Sequence, residues 1–174
     1  MGMTSRLHKL TVCAVSLSLA LVLSYLEHLL PLPLPVPGIK LGLANLAVLF
    51  LYYRMGLGTA ATVSALRVCL ANLLFGSAVS FLYGLAGATL SLVAMWALRR
   101  IPGLSPAGIS VGGGVAHNVA QILLASILLG QRAVMGYLPV LILTGLGAGV
   151  AVGLVAAYLI HRIPAKLLPE TPSK

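Results

Sequence analysis

The sequence predicts an all-α fold, a polytopic membrane protein built as a bundle of six transmembrane helices in one integral membrane domain covering residues 1–174. Three observations carry that expectation. Charged residues make up 7% of the chain, against the quarter or so that a water-soluble domain displays on its surface. Hydrophobic residues make up 60%, and the mean hydropathy is +1.08. The apolar residues fall in runs about as long as a membrane span, separated by short basic or Pro/Gly breaks.

The elements follow from those breaks. A span needs about 20 apolar residues at 1.5 Å of rise each. The first runs from about Lys9 to Leu30; its basic lead, Met1 to Lys9, resembles a signal peptide, but the apolar run is too long and has no small-residue cleavage site, so a retained helix is expected. The second runs from about Ile39 to Tyr53 and is short. The third covers about 57–75 and the fourth about 79–97; no strong polar break separates them between Asn72 and Ser80, and a five-span reading stays open there. The fifth covers about 107–129 and the sixth about 137–161. Between the first two, prolines alternate from Pro31 to Pro37. They fix φ and remove donors, so this stretch reads as a stiff extended strap, either a rigid connector or a lid over an outward-opening pocket.

Lys and Arg set the orientation. Arg6, Lys9, Arg54, Arg99, Arg100, Arg162, Lys166 and Lys174 fall on one side, while only Lys40 and Arg132 fall on the other. Basic loops stay cytoplasmic, so both termini are expected in the cytoplasm of a multi-pass protein of the bacterial cell membrane. The net charge of +9 is thereby used at span ends; it forms no stripe, and no nucleic-acid partner is expected. Cys13 and Cys69 fall inside spans without ligand spacing, which reads as apolar packing. The glycines of 112–114, 145–149 and 153 read as close helix packing.

Against this apolar background a few polar residues stand out. Arg67 lies about ten residues into the third span, roughly 15 Å from the inner face, and His117 is similarly deep in the fifth. Asn72 and Gln121 lie further outward on the same two helices; His117 and Gln121, four apart, share a face, and Asn118 is one step round. Glu27 sits at the outer end of the first span, and Lys40 with Asn45 at the outer start of the second. An unpaired guanidinium at the midplane costs at least about 2.5 to 3.5 kcal/mol, so Arg67 needs an anion, carbonyls or water. Glu27 is the only carboxylate within a span, and its partner is Lys40, Arg67 or a ligand. For Asn45, Asn72 and Asn118 the competing reading is interhelical hydrogen bonding. On the first helix Ser16, Ala20, Ser24 and Glu27 form one stripe facing the polar interior, while Ala14 and Ser18 form a small-residue pair on the opposite side, a candidate docking face for a protein partner.

Absences exclude chemistry. The chain has no phosphate-binding G-x-x-x-x-G-K-S/T loop, no zinc motif and no Cys-His nucleophile arrangement. Diphosphate chemistry with Mg²⁺ needs carboxylates, and the chain has only Glu27 and Glu170 and no aspartate. No catalytic residue, metal or cofactor is expected, and small-molecule capture or transport is the better class than catalysis.

The stretch Pro37-Gly38-Ile39-Lys40-Leu41-Gly42-Leu43-Ala44-Asn45-Leu46, then Arg67, then Gly114-Val115-Ala116-His117-Asn118-Val119-Ala120-Gln121, resembles the Gx transporter family, whose members are often labelled heptaprenyl diphosphate synthase component I. That family is grouped with the substrate-binding S components of energy-coupling factor transporters. The resemblance implies a six-helix binder that takes up a vitamin-like micronutrient from outside, docks on a transmembrane coupling subunit driven by two ATPases, and topples to release its cargo. S components commonly dock through an A-x-x-x-A pattern on the first helix, which Ala14 and Ser18 match in part. On this reading Glu27, Lys40, Asn45, Arg67, Asn72, His117, Asn118 and Gln121 line a substrate site for an anionic or amphipathic ligand. The alternative is an accessory membrane subunit of prenyl diphosphate or quinone metabolism.

Overall fold

A computed structural model of the chain describes residues 3–30 and 40–164. The proline strap, residues 31–38, and the C-terminal tail with Lys166, Glu170 and Lys174 lie outside the described residues. The fold is all-helical, with α1 (Met3–Leu29), α2 (Asn45–Met55), α3 (Leu57–Phe75), α4 (Ala78–Leu98), α5 (Pro106–Leu129), a 3-10 turn (Arg132–Tyr137) and α6 (Leu138–Arg162).

Five stretches among the described residues are long and apolar enough to cross a membrane: α1 from Arg6, α3, α4, α5, and α6 together with the turn before it. Their outward surfaces are correspondingly greasy. Leu73 is 82% exposed and Ile127 75%, values that suit hydrocarbon rather than water.

α2 differs from the expected second span. It begins at Asn45 rather than near Ile39, and its 11 residues rise only about 16 Å, short of a bilayer core. The cause lies just upstream. Gly42 has φ +87°, a conformation that side chains with a Cβ rarely adopt, and residues 40–44 remain non-helical. What α2 lacks in length it recovers in burial. Most of its side chains are buried, and it packs against α1, α3 and α6.

The ambiguous α3–α4 boundary resolves as a two-residue link. The Gly76 N–H donates to the Asn72 carbonyl at 3.1 Å, and the Ser77 hydroxyl caps α4 by accepting from the Ser80 N–H at 3.2 Å. Glycine and serine thus supply the break that charge does not.

The ends of α2, α4 and α6 gather at one end of the bundle. Arg99 donates through Nη1 to the Tyr52 carbonyl at 2.8 Å and lies 4.5 Å from the ring centres of both Tyr52 and Tyr53. Arg54 donates to the carbonyls of Ile160 and Ile163. Beneath these arginines lies one apolar core, built on Val48 to Met55 with Val63, Met95, Ile109 and Ala156, against which Val12, Cys13 and Leu17 of α1 pack. A second core, Tyr83, Ile122, Ala125, Val134 and Leu141, joins α4, α5 and α6 towards the other end.

α5 and α6 meet along glycine. A Cβ added to Gly114 would stand 2.6 Å from the Gly145 carbonyl oxygen, and one on Gly149 would stand 2.6 Å from the Val111 Cα. Backbones so close leave no room even for alanine.

On α1, Ser16, Ala20, Ser24 and Glu27 are buried, while Ala14 and Ser18 are exposed. The Ser18 hydroxyl donates to the Ala14 carbonyl at 2.9 Å, so its polarity is satisfied within the helix.

Candidate ligand site

The polar cluster forms where the non-helical stretch 40–44 enters the bundle. Helical spacing explains which side chains reach it. Ser24 and Glu27 are three apart on α1 and share its inner face; His117 and Gln121 are four apart on α5.

Arg67 of α3 is 4% exposed. Its Nη1 reaches the Ser24 hydroxyl at 3.4 Å, a long contact, and its Nε and Nη2 have no partner. Glu27 is likewise 4% exposed. Its Oε1 accepts from the Leu43 N–H at 2.7 Å, and its Oε2 has no partner. The two lie within electrostatic reach of each other, as does Lys40 of both. The carboxylate therefore holds the turn at 42–43 while part of it, and most of the guanidinium, stays unengaged. An unsatisfied buried polar group costs about 1–3 kcal/mol, more when charged, so this arrangement lowers stability.

The second arm is neutral. The Lys40 backbone N–H donates to Gln121 Oε1 at 3.2 Å. This fixes the amide, so Gln121 Nε2 faces His117 Nε2 at 3.1 Å as the donor. The imidazole nitrogen there accepts, which puts the proton on Nδ1. The Nδ1 edge lies against the Gly87 backbone without a hydrogen bond of normal geometry. A Cβ on Gly87 would stand 2.6 to 2.9 Å from three ring atoms, so only glycine lets the ring lie there. Gly42 approaches the opposite edge; its added Cβ would come 3.5 Å from His117 Cδ2 and 3.1 Å from Asn45 Nδ2. Asn45 donates to the Ser91 hydroxyl at 3.3 Å. Beside Asn45, Ser91, Ser110 and Gly114 a void of about 10 Å³ remains, about the size one water needs.

The structure thus brings six of the eight expected site residues together: Glu27, Lys40, Asn45, Arg67, His117 and Gln121. Asn118 and Asn72 lie elsewhere. Asn118 is fully buried and donates to the Leu141 carbonyl at 2.7 Å and the Thr144 hydroxyl at 3.2 Å, tying α5 to α6. Asn72 donates to the Val68 carbonyl of its own helix at 2.7 Å and lines a separate open groove of about 370 Å³ with Leu73, Ser77 and Phe81. One step along a helix rotates a side chain by about 100°, which carries Asn118 away from the face that His117 shares with Gln121.

Gly42, part of the PGIKLGLAN stretch, completes the cluster together with Ser91 and Gly87, which the sequence does not mark out. Gly87 and Ser91 are four apart on α4, and that spacing is the signal they leave. Small residues, however, recur at this interval throughout the chain.

Among the described residues, five helices long and apolar enough to cross a membrane surround a buried, incompletely partnered polar cluster, and the chain is a multi-pass α-helical membrane protein. Residues 17–159 match the family described as heptaprenyl diphosphate synthase component I, and the chain belongs to that family. Comparison with curated proteins and with solved structures finds no match.

Proposed function

We propose that the protein is the substrate-binding membrane subunit of a micronutrient importer, similar to the S components of energy-coupling factor transporters. One observation carries this reading: a buried arginine with two unpartnered donor nitrogens beside a buried carboxylate with an unpartnered oxygen. A membrane protein keeps such groups when a ligand completes them. In this reading α2 counts as the sixth pass, completed by the residues before it, and both termini are cytoplasmic in the bacterial plasma membrane. The basic cluster of Arg54, Arg99 and Arg162 at one end supports that orientation. Arg67 and Lys40 attract an anionic group, while Glu27, His117, Gln121 and Asn45 orient the remainder. The exposed Ala14–Ser18 face supports docking on a transmembrane coupling subunit driven by ATPases. The chain is not an enzyme in this reading and needs no cofactor. The uptake of a vitamin-like compound rests on the resemblance of the PGIKLGLAN and AHNVAQ stretches.

The family's description favours a second reading, an accessory membrane subunit of prenyl diphosphate metabolism. The paucity of carboxylates opposes a catalytic part in it, because Mg²⁺-diphosphate sites are built from them.

Mass spectrometry of the small molecule that survives purification, in the natural chain and in Arg67→Ala, tests the proposal. A bound polar compound lost in the variant, with the folded fraction retained, supports it. Equal loss of binding and folding counts against a ligand role. Co-purification of a prenyl synthase in place of a coupling subunit and ATPases would move the assignment to the second reading.

A further inference from the structure

A second feature lies on the lipid-facing side, away from the polar cluster and independent of the ligand assigned to it. α3 and α4 are antiparallel and joined by two residues. About two turns from that joint, at Val68 and Gly84, they pack closely; a Cβ on Gly84 would sit 3.4 Å from Val68 Cγ1. On the far side of Val68 and Leu85 from the joint, a groove of about 330 Å³ lies between the helices, running to Leu57 on one wall and Trp96 on the other. Its walls are aliphatic apart from buried Ser64 and from Thr89, whose hydroxyl is satisfied by the Leu85 carbonyl at 2.8 Å.

Three properties specify an occupant. The groove extends 11 residues along each helix, about 16 Å, which is half the hydrocarbon thickness and therefore the depth of one leaflet. It begins at the arginine-rich end of the bundle, where headgroups of that leaflet lie. At that mouth Arg100, exposed, stacks over the Trp96 ring at 3.5 Å, so the indole forming the groove's end also holds a cation at the interface. A second cation, Arg99, follows directly after Leu98, and among the described residues the one carboxylate side chain, Glu27, belongs to the polar cluster around the turn at 42–43.

We propose that the α3–α4 groove is a binding site for a single anionic phospholipid, one acyl chain lying between Leu57 and Trp96 at the mouth and Val68 and Leu85 at the closed end, with the phosphate on Arg100. An aliphatic slot of leaflet depth selects a chain and excludes a soluble anion. The arginine at its mouth selects the charge of the headgroup.

The test is native mass spectrometry of the full chain, purified in detergent and exposed to equal amounts of phosphatidylglycerol and phosphatidylcholine of matched acyl chains. One lipid is expected per chain, with phosphatidylglycerol favoured about fivefold, the factor that one cation near the membrane surface contributes. Arg100→Gln is expected to bring the two lipids to near parity while one still binds. Ala65→Trp and Thr89→Trp fill the groove from opposite walls at exposed positions and are expected to remove retention of both lipids without lowering the melting temperature. Equal retention of the two lipids by the natural chain overturns the charge selection, and unchanged retention in both tryptophan variants overturns the groove. A lipid-free dimer mass that disappears in those variants would instead assign the groove to a second copy of the chain.

Discussion

Arginine occurs in this bundle in two opposite situations. At the basic end, Arg99 has a carbonyl partner and two aromatic faces, and Arg54 reaches two carbonyls at the end of α6. Both stay near the interface, where water and headgroups share the load. Deeper in, Arg67 has one long contact to a serine and two unpartnered nitrogens. The first pair closes helix ends and holds the basic-end core together. Arg67 has no such partners, and its burial costs stability. The same side chain is therefore partnered at one depth and left largely without partners at the other, and the proposed ligand role rests on that difference.

That contrast can be broken at several points. The glycine seam belongs wholly to the structural side, so Gly114→Val is expected to have the largest effect, about 3 kcal/mol or more of lost stability, because its Cβ meets backbone rather than a movable side chain. Thermal unfolding in detergent measures it; a folded protein of unchanged melting temperature would show that α5 and α6 separate easily. Gly87→Ala tests the border between the two regions. It is expected to displace the His117 ring, break its bond to Gln121 and cost about 1–3 kcal/mol, with loss of any ligand seen by mass spectrometry. Arg99→Ala removes one carbonyl bond and the aromatic stacking, about 1–2 kcal/mol together, and should leave ligand retention unchanged. Arg67→Met is the smallest in stability and the most telling. It removes a buried unpaired charge while keeping volume, so the ligand-free protein should be unchanged or stabilised by up to about 2 kcal/mol, whereas retention of the ligand falls at least tenfold. A melting temperature lowered as far as in Arg99→Ala would place both arginines on the structural side.

The legibility of the molecule follows the same division. Helix positions on α3 to α6 could be read within a few residues, because apolar length and the glycine, serine and basic breaks are local properties. The inward stripe Ser16, Ala20, Ser24 and Glu27 was legible from period alone. The start of α2 was not. Its upstream turn depends on Gly42 at positive φ and on Glu27 receiving the Leu43 N–H, a bond between residues 16 apart in sequence. Asn118 and Asn72 were grouped with the site because polar residues inside spans look alike in one dimension; their partners on α6 and on α3 itself are visible only in three.

By itself, the sequence determined that this chain lives among apolar surroundings, where α3 to α6 begin and end within a residue or two, and which few ionisable groups are stranded inside. Those follow from composition and from hydrogen bonds made within four residues. Only the tertiary structure decided which stranded groups meet. It joined Glu27, Arg67, His117 and Gln121 around the turn at 40–44 and diverted Asn118 into the α5–α6 contact. The reason is that the partner of a buried polar group is set by the rotation and separation of neighbouring helices, and here the packing of Gly87 on His117 and of Gly114 on Gly145 sets both.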